Sequence, residues 1–267
     1  MTVTTVDAFA DRPFSGNPAA VCLLDRPAPE EWMQALAGEM NLAETAFVTP
    51  GGADLPFGLR WFTPTVEVDL CGHATLAAAH VLYETGRVGS ADEAAFDTRS
   101  GRLSVTSEGD GRYVMDFPAT PPEPADLPAG FAEAFGVDPM WAGRSPFDWF
   151  AVVEDEATVR ALDPGADAVR SLGLRGVIVT ARGNDVDVVS RFFAPNAGVV
   201  EDPVTGSAHC AIGPYWAEAL GVRSLTCYQA SRRGGTVGVR VHGDRVALSG
   251  RAVTVYRATL APLALPG

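Results

Sequence analysis

The residues of this sequence that can do chemistry gather around two short turns of similar pattern. Cys-Gly-His at 71–73 in the first half corresponds to Thr-Gly-Ser at 205–207 in the second half. In each turn the glycine lets the backbone approach a ligand closely, and a helix-forming run follows. Because free N–H groups at a helix start favour an anion, the turns predict one small-molecule active site in which they face each other across a bound carboxylate.

The similarity extends upstream of both turns. Arg60, two aromatic residues and a proline precede the first turn, and Arg191 precedes the second turn in the same arrangement. A glutamate, Glu67 or Glu201, lies between each proline and its turn, and the second copy carries a short insertion. Two helix starts that merely share good capping residues are the alternative. Since capping does not require the upstream arginine and aromatics, we interpret the pattern as an internal repeat.

Three residues near these turns are candidates for acid–base catalysis. Glu44 has apolar neighbours along the chain, and burial beside apolar groups raises the pKa of a carboxyl toward useful values. A capping box is the alternative, because Asn41 lies three residues before Glu44, but the strand-like residues that follow favour a catalytic role. His73 is a neutral imidazole that can exchange protons with a substrate, and Asp202 precedes the second turn. Both can instead serve only as helix-start residues.

Cys71 and Thr205 occupy equivalent positions in the two turns. A thiol at a helix start can be activated as a thiolate, although a small buried cysteine is the commoner outcome. Neither a metal nor a nicotinamide or flavin cofactor is expected, because the glycine-rich pieces lack the context of dinucleotide binding. No metal motif appears among the nearest candidates, Cys71, His73, His80, His209 and Cys210.

The composition excludes several classes of function. The net charge of the 267 residues is -13, which disfavours nucleic acid and anionic membranes as partners. All 20 basic residues are arginine, so a pyridoxal enzyme, a Schiff-base aldolase and a Walker phosphate loop are excluded. The four cysteines form no disulfide pattern, and neither a signal peptide nor a membrane-length apolar stretch is present. A cytoplasmic protein is therefore expected.

The elements that position these residues follow the same order in both halves. Residue patterns in the first half predict strands at 3–9, 19–24 and 57–62, helices at 29–40 and 74–83, and two or three strands within 94–117. In the second half they predict helices at 131–135, 156–162 and 208–220, and strands at 149–153, 176–180, 186–193 and within 226–256. The predicted domains are 1–117 and 131–267, joined by a proline-rich linker at 118–130, and the last strand can cross back to the first domain.

Four stretches of the chain together resemble the PhzF-like isomerase family of phenazine biosynthesis, which is similar in fold to diaminopimelate epimerase. They lie at 6–21 (Val-Asp-Ala-Phe and Phe-Ser-Gly-Asn-Pro-Ala-Ala-Val), 41–48 (Asn-Leu-Ala-Glu-Thr-Ala-Phe-Val), 71–75 (Cys-Gly-His-Ala-Thr) and 201–208 (Glu-Asp-Pro-Val-Thr-Gly-Ser-Ala). The resemblance implies an α+β fold of two similar domains, each a curled mixed β-sheet around a central helix, with the active site in the cleft between the domains. It also implies a homodimer and no cofactor.

The resemblance further implies roles for individual residues. Glu44 takes the place of the glutamate that shuttles a proton within a dihydro-hydroxyanthranilate substrate in phenazine biosynthesis. Together with Glu44, His73 and Asp202 are expected to be catalytic. The expected substrate-binding residues are Asn17, Cys71, Gly72, Thr205, Gly206 and Ser207.

The expected function is that of a cofactor-independent isomerase, which moves a proton and a double bond in a small carboxylate substrate. Epimerases of the related fold use one cysteine in each half, and Thr205 in place of the second cysteine disfavours a two-thiol racemase. A one-base reaction through Glu44 needs no second cysteine. Two alternatives stay open. One is an epimerase or dehydratase that uses Cys71 and Thr205, and the other is a protein that binds a small carboxylate without turnover.

Overall fold

The computed structural model describes residues 1–52 and 55–266, and its contacts divide the chain into two compact units. The first unit comprises Met1–Asp116 and the segment that begins at Ser249, and the second comprises Phe117–Leu248. The segment 118–130, which the sequence predicts as a linker, belongs to the second unit. No helix among the described residues is long and apolar enough to span a membrane.

The elements of the first unit are strands and helices in alternation. In chain order they are β1 (Thr2–Ala8), β2 (Asn17–Leu23), α1 (Glu30–Met40), β3 (Glu44–Thr49), β4 (Phe57–Phe62), β5 (Glu67–Val68), α2 (Gly72–Glu84), β6 (Ala94–Thr98), β7 (Gly101–Gly109) and β8 (Arg112–Pro118). The last strand, β16 (Arg245–Thr259), pairs through its second half with β1.

The strands of the first unit curl around helix α2. They lie in the order β1-β2-β3-β4-β6-β7-β8, and β16 pairs with both β8 and β1, so that the sheet closes on itself. All residues from 73 to 82 of α2 are buried. This stretch contains no Asp, Glu or Arg, as expected of a helix that is enclosed on every side. Helix α1 lies on the other face of the sheet, where Met33, Leu36 and Ala37 pack against Phe47.

The second unit is built in the same manner around its own buried helix. Its elements are β9 (Glu123–Pro124), α3 (Phe131–Phe135), β10 (Trp141–Arg144), β11 (Asp148–Val152), α4 (Glu156–Ala161), α5 (Ala166–Arg170), β12 (Gly176–Arg182), β13 (Val188–Phe193), α6 (Gly206–Leu220), β14 (Ser224–Gln229) and β15 (Gly235–His242). Helix α6 contacts β12 through Trp216, whose indole N–H donates to Thr180 Oγ1 at 3.1 Å. Gly213 of α6 packs closely on Val239 of β15. A Cβ added at Gly213 would lie 2.6 Å from the Val239 side chain.

The pairing directions repeat from one unit to the other. Strands β2 and β3 are parallel, β3 and β4 antiparallel, and β4 and β6 parallel. Strands β11 and β12 are parallel, β12 and β13 antiparallel, and β13 and β14 parallel. The internal repeat therefore extends well beyond the two turns. It confirms the predicted α+β architecture of two similar units, each a mixed sheet around a central helix.

Asn41 ends helix α1 and does not begin another helix. Its φ of 49° lies in the left-handed region, and its N–H donates to the carbonyl of Ala37 at 3.1 Å. Glu44 is the first residue of β3 and not the third residue of a helix. The capping-box alternative for Glu44 is therefore wrong.

Replacing the exposed Asn41 by alanine is expected to lower the free energy of unfolding by about 1 kcal/mol, because a Cβ without a polar group is strained in the left-handed region. Asn41→Gly should stay within about 0.5 kcal/mol of the parent, since glycine adopts this conformation freely. Urea unfolding of the three proteins checks this ordering. Equal stability of the alanine and glycine variants would contradict it.

Candidate active site

A carboxylate and an imidazole meet in the first unit where β3 begins and α2 begins. Nε2 of His73 lies 3.2 Å from Oε2 of Glu44, and the two side chains are only 7% and 17% exposed. Side chains alternate along a strand, so Glu44 faces away from Phe47, which packs against α1, and toward α2. The position of Glu44 at the end of the strand therefore brings it to the first turn of the helix that carries His73.

The other nitrogen of the His73 ring sets its tautomer. Nδ1 lies 3.2 Å from Nδ2 of Asn17 and 3.5 Å from Sγ of Cys71. Because an amide nitrogen only donates, Nδ1 accepts from Asn17 and Nε2 carries the proton on the side of Glu44. Four of the predicted site residues, Asn17, Glu44, Cys71 and His73, thus lie together.

The contact between His73 and Glu44 is close but poorly aligned. Nε2 of His73 is buried and satisfies no hydrogen bond among the described residues. A buried donor without a partner is uncommon in folded proteins and costs free energy. Such a donor beside a carboxylate is available to a substrate atom that both groups can reach.

Burial keeps His73 neutral. The loss of hydration lowers its pKa from 6.5 to about 3. A neutral imidazole whose Nδ1 already accepts a hydrogen bond is a poor base at neutral pH. Of the two groups, Glu44 is therefore better suited to accept a proton, and His73 is better suited to donate a hydrogen bond.

The neutral state of His73 predicts a pH dependence of stability. Below about pH 6.5 the unfolded chain takes up a proton on this histidine, whereas the folded protein does not. The free energy of unfolding should therefore fall as the pH drops from 6.5 toward 4, by about 1.4 kcal/mol per pH unit from this group. Chemical denaturation of the parent and of His73→Asn at pH 7.5, 6 and 5 measures the contribution. The same pH dependence in both proteins would contradict it.

The helix starts in both units lack side-chain caps. Cys71 precedes α2 and Thr205 precedes α6, and neither side chain caps the first turn that follows it. The residue four positions later bonds back to each carbonyl: Thr75 Oγ1 donates to Cys71 O at 2.6 Å, and His209 Nδ1 lies 2.8 Å from Thr205 O. Gly72 and Gly206 are the first residues of their helices, as the two turns predict.

In the second unit, the side chains before α6 form a compact network. Thr205 Oγ1 donates to Asp202 Oδ2 and accepts from Gln229 Nε2 at 3.2 Å. Gln229 also accepts from the Thr205 N–H at 2.8 Å and donates to the Asp202 carbonyl at 2.7 Å. The hydroxyl of Thr205 is thus engaged as donor and acceptor. Gln229 is absent from the predicted site, because only the pairing of β14 within the sheet brings it there.

Ser207 meets an arginine that sequence reasoning missed. Nη2 of Arg175 donates to Ser207 Oγ at 3.1 Å. The same guanidinium forms a bidentate ion pair with Asp148. Neither residue lies near a motif in the sequence, so no local signal marks them.

The arginine and glutamate of each repeat have a structural role. Arg60 donates to both carboxylate oxygens of Glu67 at 2.6 Å, and Arg191 donates to those of Glu201 at 2.6 and 3.0 Å. Each guanidinium also lies over the aromatic ring two residues later, at 5.2 and 4.8 Å. These pairs explain why arginine, aromatic residue and glutamate recur together upstream of both turns.

Comparison with known proteins supports the family that the sequence motifs indicate. The family model of phenazine biosynthesis-like proteins, PhzC-PhzF, matches residues 6–258. A Pseudomonas aeruginosa protein named as an uncharacterized isomerase is 50% identical over 264 residues, which cover 97% of this chain and 98% of that protein.

Solved structures agree with the family match. The crystal structure of a phenazine biosynthesis protein of the PhzF family from Enterococcus faecalis has a TM-score of 0.92 and 43% identity, covering 97% of this chain and 99% of that chain. A probable proline racemase from Agrobacterium radiobacter K84 shares the fold, with a TM-score of 0.64 and 13% identity over 98% of this chain and 95% of that chain. The expected family, epimerase-like fold and isomerase class are confirmed. The chain belongs to the phenazine biosynthesis-like, PhzC-PhzF, family of isomerases.

Proposed function

We propose that this protein moves a proton, and with it a double bond, within a small carboxylate substrate, without a cofactor. The observation that carries the proposal is the buried pair of Glu44 and His73, in which a carboxylate lies 3.2 Å from a neutral N–H donor. A general base needs a carboxylate within reach of a C–H group, and a donor beside it can hold the charge that develops on the substrate.

The proposed reaction uses one base. Glu44 takes a proton from a carbon next to a C=C bond, and the C–H electron pair forms a new C=C bond. The electrons of the original double bond then form a C–H bond at its far carbon, with a proton returned by Glu44, whose partly exposed carboxyl exchanges that proton with water between the two steps. Substrate and product are isomers, so no oxidant, reductant or water is consumed. His73 donates a hydrogen bond through Nε2 and stays neutral throughout.

Asn17 and Cys71 are proposed to position the imidazole of His73, because both side chains contact its Nδ1 atom. Asn17 is fully buried, and its amide holds the ring of His73 in the tautomer that presents N–H to Glu44. The catalytic role of Asp202 stays a prediction. Its carboxylate accepts a hydrogen bond from the hydroxyl of Thr205.

The proposal is tested by screening small unsaturated carboxylates for deuterium incorporation from deuterated water, with proton NMR as the readout. We expect at least one substrate to exchange a C–H proton and to yield an isomer of equal mass apart from deuterium. A protein that binds such carboxylates but exchanges none would instead support the alternative of a binding protein without turnover.

The second candidate is an epimerase or dehydratase that uses Cys71. The short contact between Cys71 Sγ and His73 Nδ1, 3.5 Å, is the observation in its favour. Cys71→Ser distinguishes the two reactions. It should leave most of the exchange in place if Glu44 is the base, and it should abolish exchange if the thiol is the base.

Metal removal gives a separate prediction. Glu44, Cys71 and His73 place donor atoms within 4.8 Å of one another, a grouping that is able to hold a metal ion. The protonated Nε2 and the engaged Nδ1 of His73 favour hydrogen bonding over coordination at this site. We therefore expect dialysis against EDTA to leave the exchange rate unchanged. Loss of exchange after EDTA, with recovery on adding metal, would contradict this expectation.

A further inference from the structure

The second unit places a cation where the first unit places its carboxylate. Strand pairing aligns the units: Phe62 lies opposite Thr45, and Phe193 of the second repeat lies opposite Val177. The residue before each partner is Glu44 in the first unit and Gly176 in the second. Gly176 is thus the structural counterpart of Glu44.

No side chain fits at Gly176. A Cβ there would lie 2.6 Å from the carbonyl oxygen of Phe193 and 2.8 Å from the ring of Phe192. The preceding residue, Arg175, supplies a side chain to this end of the strand, and its Nη2 lies 3.1 Å from Ser207 Oγ. Ser207 follows the first glycine of α6, as His73 follows that of α2. A guanidinium therefore meets the helix-start side chain in the second unit, where a carboxylate meets it in the first.

The guanidinium of Arg175 is held rigidly. Nε and Nη2 donate to the two carboxylate oxygens of Asp148 at 2.9 and 2.5 Å. The rings of Phe147 and Phe192 lie 5.4 and 5.3 Å from the guanidinium carbon. Asp148 is 2% exposed, whereas the Arg175 side chain is 35% exposed. The guanidinium of Arg175 is thus fixed where it contacts Asp148, and another part of the side chain is open to solvent.

One nitrogen of this group has no protein partner. Nη1 of Arg175 makes no hydrogen bond within residues 1–52 and 55–266. Its two N–H groups, with the hydroxyl of Ser207, are suited to the oxygens of a planar anion. Because Asp148 already balances the charge of the guanidinium, the site favours a singly charged carboxylate over a doubly charged phosphate.

We infer that Arg175, with Ser207, forms a carboxylate-binding site in the second unit. The inference rests on the proposed function only in taking the ligand to be a small carboxylate. Arg175 binds the anion, and Asp148 is a positioning residue that fixes the guanidinium. The alternative is that the ion pair only stabilises the end of β12.

Arginine Nε–H signals in nitrogen-15 NMR spectra test the site directly. The signal of Arg175 is assigned by its loss in Arg175→Lys. The parent is then titrated with acetate, pyruvate and benzoate, with acetamide and benzamide as uncharged controls, and with inorganic phosphate. We expect at least one carboxylate to shift this signal saturably, the amides to leave it unchanged, and phosphate to bind more weakly.

Calorimetry with the carboxylate that shifts the signal measures the contribution of the side chain. Arg175→Gln should raise the Kd by about 10- to 100-fold, as expected for the loss of charge-assisted hydrogen bonds. Arg144→Gln, at an exposed position on β10, is the matched control and should leave the Kd unchanged. The inference is overturned if no carboxylate shifts the signal, if Arg175→Gln binds as tightly as the parent, or if phosphate binds more tightly than every carboxylate.

The Glu44→Gln variant separates this inference from the proposed function. It should retain the shift of the Arg175 signal, because Glu44 is not part of this site. Carboxylate binding without proton exchange in the parent would refute the proposed function alone. Proton exchange with an unchanged Kd in Arg175→Gln would refute the inference alone.

Discussion

Glu44→Gln is expected to abolish proton exchange while leaving the fold and ligand binding intact. Glutamine has nearly the same shape as glutamate, and its amide oxygen can lie where Oε2 faces His73. It cannot accept a proton from carbon, and the neutral His73, with a pKa of about 3, cannot replace it as the base. The loss should reach at least about 100-fold, the lower end of the contribution of a positioned general base. Deuterium incorporation at saturating substrate measures it.

Two controls make this result specific. Glu39→Gln changes an exposed glutamate on α1 and should exchange like the parent. Glu44→Asp keeps the carboxylate but shortens the side chain, so it should retain part of the activity. Exchange at the parental rate in Glu44→Gln, with a normal unfolding transition, would show that Glu44 is not the base.

The second large effect is expected on stability. Arg191→Met should lower the free energy of unfolding by about 3 kcal/mol, because it leaves a partly buried carboxylate without its cation. Arg191 is only 11% exposed, donates to both oxygens of Glu201, and also donates to the carbonyl of Leu162. Methionine fills the apolar space of the side chain but supplies none of these hydrogen bonds. Urea or thermal unfolding measures the change.

Arg60→Met is the matched control, since Arg60 holds the same place in the other repeat. Arg60 is 33% exposed, and its partner Glu67 has a second cation, Arg99, at 2.6 Å. Among the residues described, Arg191 is the sole cation paired with Glu201. Arg60→Met should therefore cost only about 1 kcal/mol. An equal or larger cost for Arg60→Met would mean that these pairs do not stabilise the protein through burial.

The site of the first unit was predictable because its residues carry local signals. Glu44 stands before a run of strand-forming residues, and His73 follows a glycine at the start of an apolar helix. Both signals depend on neighbours along the chain, which determine strand and helix directly. The contact of Asn17 with His73 is different, because the strand β2 and helix α2 that carry them are far apart in sequence. The family resemblance, and not the residue pattern, suggested Asn17.

Several contacts of the second unit could not be predicted from the residue pattern. Arg175 follows a leucine and precedes a glycine, a context without polar signal, and it reaches Ser207 only through the pairing of β12. The proline-rich segment at 118–130 also differs from a simple linker, since Glu123–Pro124 pairs with β10. Proline is tolerated there because β9 is an edge strand of the sheet, which pairs on one side only and needs few hydrogen bonds to its neighbour. Composition alone does not distinguish such an edge strand from a connection.

The tight packing at Gly176 limits how this protein can evolve. A symmetric ancestor or descendant with a carboxylate base at the position of Glu44 in each unit would need a side chain at Gly176. Any substitution there must move the backbone of β13, because the obstacle is the carbonyl oxygen of Phe193 and not a flexible group. A single mutation therefore cannot turn the proposed one-base catalyst into an enzyme with a second carboxylate at this position.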